Sequence, residues 1–203
     1  MRNGRAAALA PGTTPPERID LGDVLLRRWR PEDLEPRRDA MLISREHLST
    51  WMDGITELVT VDGQRAYSRT ASDWPSAEGD FRYGIFDLDG RVLGGINLHD
   101  RVGPGAVELG YWCHVAHSGR GVVITRAAAA LTGIALDLPG IHQVEVHCDA
   151  ANTRSAAVPQ RLGFRLDRVQ PREKCTPAES GEEMCWVKHR SPSTTSADTT
   201  ATH

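Results

Sequence analysis

Glu108-Leu109-Gly110-Tyr111-Trp112-Cys113-His114-Val115-Ala116-His117-Ser118-Gly119-Arg120-Gly121-Val122-Val123-Ile124 is the stretch that decides the fold. It begins as an apolar strand and ends as a helix. From Gly119 to Leu138 the apolar residues recur at helical spacing, with Ile124, Ala128, Leu131, Ala135 and Leu138 on one face. Gly119 and Gly121 sit in the turn between, where they permit backbone conformations and close approach that a side chain would block. The unpaired N–H groups and the dipole of the new helix favour an anion there, a pyrophosphate for instance. Arg120 could add a charge-assisted contact. Glycines join strands to helices in many folds, so a plain turn and a phosphate loop both remain open on this segment alone.

Downstream, Gln143–Cys148 reads as a strand, with Val144, Val146 and Cys148 alternating against Glu145 and His147. Asn152 opens a helix that ends near Leu162, with Gly163 as its stop. Strands over Phe164–Gln170 and Glu182–Lys188 close the chain. Upstream, Asp23–Trp29 is a strand, and Pro31 starts a helical region running to Met52 with a break near Ser44. A second helix covers Asp62–Trp74. The Asp89-Gly90 turn makes a hairpin of Phe81–Leu88 and Val92–Leu98. Ala106–Val115 follows the Gly103–Gly105 turn. The order β-α-α-β-β-β-α-β-α-β-β predicts an α/β (α+β) domain with a sheet of mixed direction. Residues 1–18, rich in Ala, Gly, Thr and Pro, and residues 191–203, almost all Ser, Thr, Ala and Asp, have little to bury. They are expected to be disordered tails on a single domain spanning 19–190.

Composition narrows the function. The chain has 203 residues with 39% hydrophobic and 25% charged, ordinary for one soluble domain with a real core. A net charge of -3 argues against nucleic acid as a partner, despite the local cluster of Arg27, Arg28 and Arg30. Cys113, Cys148, Cys175 and Cys185 form no C-x-x-C pair and lack zinc-ligand spacing. No apolar run reaches the ~18 residues of a membrane span, and no secretory signal is evident. The expected location is the cytoplasm.

Three features carry chemistry. The first is the glycine loop. The second is Asp149-Ala150-Ala151-Asn152-Thr153-Arg154-Ser155 ahead of Leu162-Gly163-Phe164, where Asn152 and Ser155 would serve as helix-capping residues if nothing else were present. The third is Glu108, a carboxylate within an apolar strand, sharing a face with Gly110 and Trp112; it points either to solvent or into a cleft. In order and spacing the three together resemble the GNAT superfamily of N-acyltransferases. Within it they look most like the RimJ/RimL branch, which acetylates N-termini of ribosomal proteins. Ser44-Arg45-Glu46-His47-Leu48-Ser49-Thr50-Trp51-Met52 is also similar to that branch, and the resemblance covers Val24–Lys188.

The resemblance implies a GNAT fold, with a mixed central sheet of about 6–7 strands flanked by about 4 helices. It implies acetyl-CoA as acyl donor, with no metal, lying between two splayed parallel strands, Ala106–Val115 and Gln143–Cys148. The pyrophosphate would rest on Ser118, Gly119, Arg120, Gly121, Val122, Val123 and Ile124. The pantetheine arm would pair with the strand edge at Cys113, His114 and Val115 and meet Asn152. An amine would attack the thioester directly, with Glu108 as general base, a backbone N–H near Val115 holding the oxyanion, and Ser155 protonating the departing thiolate. Trp51, Met52, Asn97 and His99 are the candidate acceptor-binding residues. The acceptor would be a protein N-terminus or a small amine, and the protein a monomer or homodimer.

Two departures from the family pattern stand out. Ser118 and Val123 occupy positions where the family carries a long polar residue and a small one. Pro159 lies inside the Thr153–Leu162 helix and leaves the carbonyl of Ser155 without a helical donor, which predicts a kink beside that serine. A non-catalytic acyl-CoA-binding module is therefore a second reading. A P-loop nucleotide enzyme is a third, disfavoured because Val122-Val123 follows Gly121 where a P-loop would carry Lys and Ser or Thr.

Overall fold

Arg18–Asp20 (β1), Leu25–Arg28 (β2), Asp80–Phe86 (β3), Val92–Gly103 (β4), Ala106–Cys113 (β5), Gln143–Asp149 (β6), Arg165–Pro171 (β7) and Glu182–His189 (β8) form one sheet. Their order across it is β1-β2-β3-β4-β5-β6-β8-β7. The computed structural model describes residues 8–10, 12–71, 74, 80–119 and 121–191. Antiparallel pairs make up the sheet except at its centre, where β5 and β6 run parallel.

Helices lie on both faces. On one face Val122–Asp137 (α5) and Thr153–Arg161 (α6) pack Ile124, Ala127, Ala128, Leu131 and Ala156 against Val107, Leu109, Val144 and Val146 of the central strands. The other face carries Leu34–Ile43 (α1), Arg45–Ser49 (α2), Ile55–Leu58 (α3) and Val61–Ala71 (α4). There Ala40, Met41, Leu48 and Ile55 meet Trp29, Phe86 and Trp112. These four helices cover the β2–β5 half of their face. The half over β6 and β8 carries Glu145, His147, Glu183 and Cys185, with the buried Val187 among them.

The expected helical run from Pro31 to Met52 is a 3-10 turn, α1 and α2, with the break at Ser44. The Ser44 hydroxyl donates to the Ala40 carbonyl at 2.7 Å, the type of back-bond that competes with a helix's own pattern. The sheet has one strand more than expected. β1 pairs with β2 in register Arg18↔Arg27, Ile19↔Leu26, Asp20↔Leu25. The stretch read as a disordered tail, residues 1–18, is corrected for its described part. Leu9 is buried in the core, the Ala8 N–H donates to Asp100 at 2.8 Å, and the Pro16 carbonyl accepts from the Tyr83 hydroxyl at 2.8 Å. One apolar side chain and a few main-chain bonds anchor a segment that composition alone describes as having nothing to bury. The other expected tail, 191–203, lies outside the described residues beyond Ser191.

Candidate active site

The parallel pairing of β5 with β6 covers Ala106–Glu108 against Gln143–Glu145, and its register ends at Glu108↔Glu145. Beyond that point β5 continues to Cys113 and β6 to Asp149. The strands separate, and their main-chain groups face a gap. The His114 N–H donates to the Leu93 carbonyl at 2.9 Å. By alternation along an antiparallel strand, Trp112 and Gly110 also turn their main chain toward β4, while Tyr111 and Cys113 turn theirs toward the gap.

A cleft of about 290 Å³ opens over this gap. One wall is Leu48, Trp51 and Met52 from the α2 region; the other is Asn152, Ser155 and Val158 from α6. Its floor includes Tyr111 and Cys113, and its end is Ser118, Gly119, Gly121, Val123 and Ile124. Gly121 caps α5 with φ +67°, a left-handed conformation that disfavours any side chain. The first N–H groups of that sixteen-residue helix therefore point at the cleft end, where an anion is stabilised.

Most of the residues expected to bind cofactor come together here, and three do not line the cleft. His114 turns its ring back to accept the Ala116 N–H at 3.1 Å, capping the 3-10 turn Val115–His117. Val115 is exposed, and its N–H donates to the buried Ser44 hydroxyl at 3.0 Å, so of the N–H groups near Val115 that one is already bound. Val122 is exposed on the first turn of α5. Arg120 lies outside the described residues. Of the acceptor candidates, Trp51 and Met52 line the cleft, whereas Asn97 and His99 lie behind it on β4.

Sequence alone does not single out four other residues at the cleft. His117, Arg154 and Arg161 line it, and the two arginines bring positive charge to the helix terminus. The Arg161 guanidinium lies over Gly121, where an added Cβ would stand 2.9 Å from Nη1. The fourth is Tyr111. Its hydroxyl donates to the Ser155 carbonyl at 2.9 Å and accepts from the Ser155 Oγ at 3.2 Å. Pro159 explains this arrangement. It has no N–H for the Ser155 carbonyl, and the phenol supplies the missing donor across the cleft. Burial pushes the Tyr111 pKa well up. Asn152 performs the capping role open to it from sequence, its Oδ1 accepting the Ser155 N–H at 3.1 Å, and also lines the cleft.

Glu108 stands at the apex of the gap but on the other sheet face, the one shared with Trp112. It is 8% exposed, and Arg101 grips both oxygens, at 2.7 Å and 2.5 Å. Burial would raise its pKa; the guanidinium outweighs burial and holds it below the ordinary carboxylate range. The same face carries His99, paired with Asp80 at 2.6 Å, and the Asn97 Oδ1, a buried acceptor with no hydrogen-bond partner among the described residues. On β6 and β8 the face continues with Glu145, His147 and Cys185.

A model of the acetyltransferase (GNAT) domain matches residues 23–165 of the chain. The protein belongs to the GNAT acetyltransferases. It is 28% identical over 152 residues to YdaF of Bacillus subtilis (strain 168), provisionally named a ribosomal N-acetyltransferase, covering 70% of this chain and 77% of that one. Two solved structures share its GNAT fold at low identity. RimL, a ribosomal L7/L12 α-N-protein acetyltransferase in complex with coenzyme A, aligns with a TM-score of 0.75 at 18% identity, over 85% of this chain and 98% of that one. Mycobacterium smegmatis RimJ aligns at 0.73 and 21% identity, over 88% of each chain. No helix among the described residues is long and apolar enough to cross a membrane.

Proposed function

We propose that this GNAT protein transfers the acetyl group of acetyl-CoA to the α-amine of a protein or peptide, or to a small primary amine, by direct attack. The observation that carries the reading is the gap beyond Glu108↔Glu145, with the α5 N-terminus at its end and Tyr111–Ser155 bridging it. Pyrophosphate oxygens would accept from the first N–H groups of α5, with Arg154 and Arg161 adding charge. The pantetheine arm would extend the sheet along the Tyr111–Cys113 edge.

Chemistry then divides between the two faces. The thiolate leaves on the α6 side, where the Ser155 Oγ, positioned by Tyr111, would give it a proton and regain one from solvent. The amine arrives on the opposite face, where the unpartnered Asn97 Oδ1 is an acceptor for an N–H donor and Glu108 supplies negative charge. An α-amine with a pKa of about 7.7–8.0 is about a tenth neutral at pH 7, so the demand on a base is modest. Glu108 would take the proton once Arg101 yields an oxygen. No metal is required for the transfer itself.

The grip of Arg101 on Glu108 favours a second reading, an acyl-CoA-binding module without turnover. Thiol release from acetyl-CoA, measured across a panel of peptides and amines alongside CoA affinity, separates the two. Release with at least one acceptor supports transfer. Tight CoA binding without release from any acceptor supports the module.

A further inference from the structure

Glu145, His147 and Cys185 turn three different donor atoms toward one point, outside the cofactor cleft. The Glu145 Oε2 lies 2.6 Å from the His147 Nε2 and 3.1 Å from the Cys185 Sγ, and the latter two are 3.3 Å apart. Sheet geometry makes this convergence. Glu145 and His147 are two residues apart on β6 and so share a face, and Cys185 is the cross-strand partner of His147 on β8. The opposite ends of the ligands are held as well. The Glu145 Oε1 accepts from Gln143 at 2.6 Å. The His147 Nδ1 faces the Glu183 Oε2 at 3.6 Å, and Glu183 is itself held by Gln170 at 3.0 Å and Arg172 at 3.1 Å. A carboxylate behind the second ring nitrogen is the usual support of a metal-binding histidine.

From this arrangement we propose that the chain carries a divalent-metal site of zinc class, with Glu145, His147 and Cys185 as protein ligands and Glu183 as the support of His147. Carboxylate, neutral imidazole and thiolate together suit a borderline-soft ion, and the two negative ligands balance its charge. Donor atoms around a tetrahedral zinc stand about 3.3–3.6 Å apart, so binding opens the present contacts by about 0.2–0.7 Å. The thiol releases its proton to solvent as the sulfur–metal bond forms, and the proton that His147 Nε2 shares with Glu145 leaves that nitrogen as well, so the neutral ring carries its one N–H at Nδ1, facing Glu183. Arg168, at 3.4 Å from the Glu145 Oε2 and with a side chain 42% exposed, stands in for the cation and must swing outward. The site ties β6 to β8 and shares Glu145 with the Glu108↔Glu145 apex, on the face where the acceptor is proposed to enter.

The test uses the full chain stripped of metal and titrated with Co²⁺, then Zn²⁺. The expected result is one bound Co²⁺ with a sulfur-to-cobalt charge-transfer band, displaced by Zn²⁺. The melting temperature is expected to rise by about 5–10 °C at a Zn²⁺ concentration near a hundred times Kd. Cys185→Ser abolishes the band, while Cys175→Ser, at an exposed cysteine, leaves it. Should Cys185→Ser not fold, Glu183→Gln keeps all three ligands and should weaken Zn²⁺ binding about 10–100-fold. Cobalt bound without the band, a band surviving in Cys185→Ser, or unchanged affinity in Glu183→Gln each overturns the proposal. None of these readouts depends on acetyl transfer.

Discussion

The two faces of the β5–β6 pair are built from different materials. Toward α5 and α6 the site is mostly main chain and shape: helix N–H groups, a strand edge, and the Tyr111–Ser155 bridge over an apolar core. Toward the opposite face it is side-chain charge: Asp80–His99, Arg101–Glu108 and the Glu145–His147–Cys185 cluster. Main-chain sites tolerate side-chain drift, which is how Ser118 and Val123 can depart from the family pattern while the cleft persists. Charge-built sites depend on every partner. Substitutions on the first face should therefore separate cleanly into binding and turnover, and those on the second should mix acceptor preference, pH response and stability.

The largest expected effect falls at the bridge. Ser155→Ala should lower kcat about 100-fold or more, within the usual range for a positioned proton donor, with Kd for CoA unchanged. Tyr111→Phe should approach that loss and also leave the Ser155 carbonyl without its donor, destabilising the fold by about 1–3 kcal/mol. A thioester donor with a more acidic leaving thiol should recover most of the lost rate in both variants, because its thiolate needs less help. A deficit that is independent of the leaving group would assign the pair to packing alone.

Next in size is the helix terminus. Gly121→Val places a branched side chain at φ +67° and against Arg161. A left-handed non-glycine residue costs about 1–2 kcal/mol. The strained loop and displaced guanidinium together should weaken CoA binding about 10–100-fold by calorimetry, with the melting temperature of the free protein lowered by about 2–8 °C. Retained affinity would mean that the phosphates are not bound at this loop.

The same contrast explains what could be read from the sequence. Glycine loop, helix period and the order of elements are local properties, and they located the β5 and β6 strands, the α5 terminus and the Asn152 cap; the parallel pairing of those strands and a part for Ser155 came from the family resemblance. Pro159 is an instructive middle case. Its missing N–H is legible, and so is the orphaned Ser155 carbonyl; that Tyr111 would supply the donor from 44 residues away is not. The charged face depends on register. Nothing in the spacing of Glu145, His147 and Cys185 suggests a cluster, because it needs His147 opposite Cys185 across β6 and β8. Likewise the sequence points to a backbone N–H near Val115 for an oxyanion, and only the contact with Ser44, 71 residues away, shows that the N–H of Val115 itself is taken.

On the charged face the expected effects are smaller and shared. Glu108→Gln should lower kcat/KM for a cationic acceptor about tenfold, as one lost charged contact of about 1.4 kcal/mol would, leaving CoA affinity unaltered. Arg101→Ala should act in the opposite sense on basicity. Burial then acts on Glu108 with less opposition, its pKa rises, and the acid side of the rate profile moves to higher pH. A profile that stays in place in Arg101→Ala would show that Glu108 does not take the amine proton.

The smallest effect is at Asp80, at the far end of the same row. Burial there would raise the carboxyl pKa, but the bonds from His99 and Arg82 outweigh it and hold the value well below the ordinary range. A carboxylate with a lowered folded-state pKa contributes stability above its unfolded value of about 3.9 and loses it as pH falls through the folded one. Asp80→Asn lacks that contribution at every pH. The melting temperature of the native protein should therefore exceed that of the variant by a steady margin from pH 7 to 5, and the margin should close as pH drops below about 4. It should be modest, since a third of the Asp80 side chain is exposed. A margin that persists unchanged into strong acid would place the value of Asp80 in shape and neutral hydrogen bonding rather than in charge, and would make this end of the row more like the main-chain face than its neighbours.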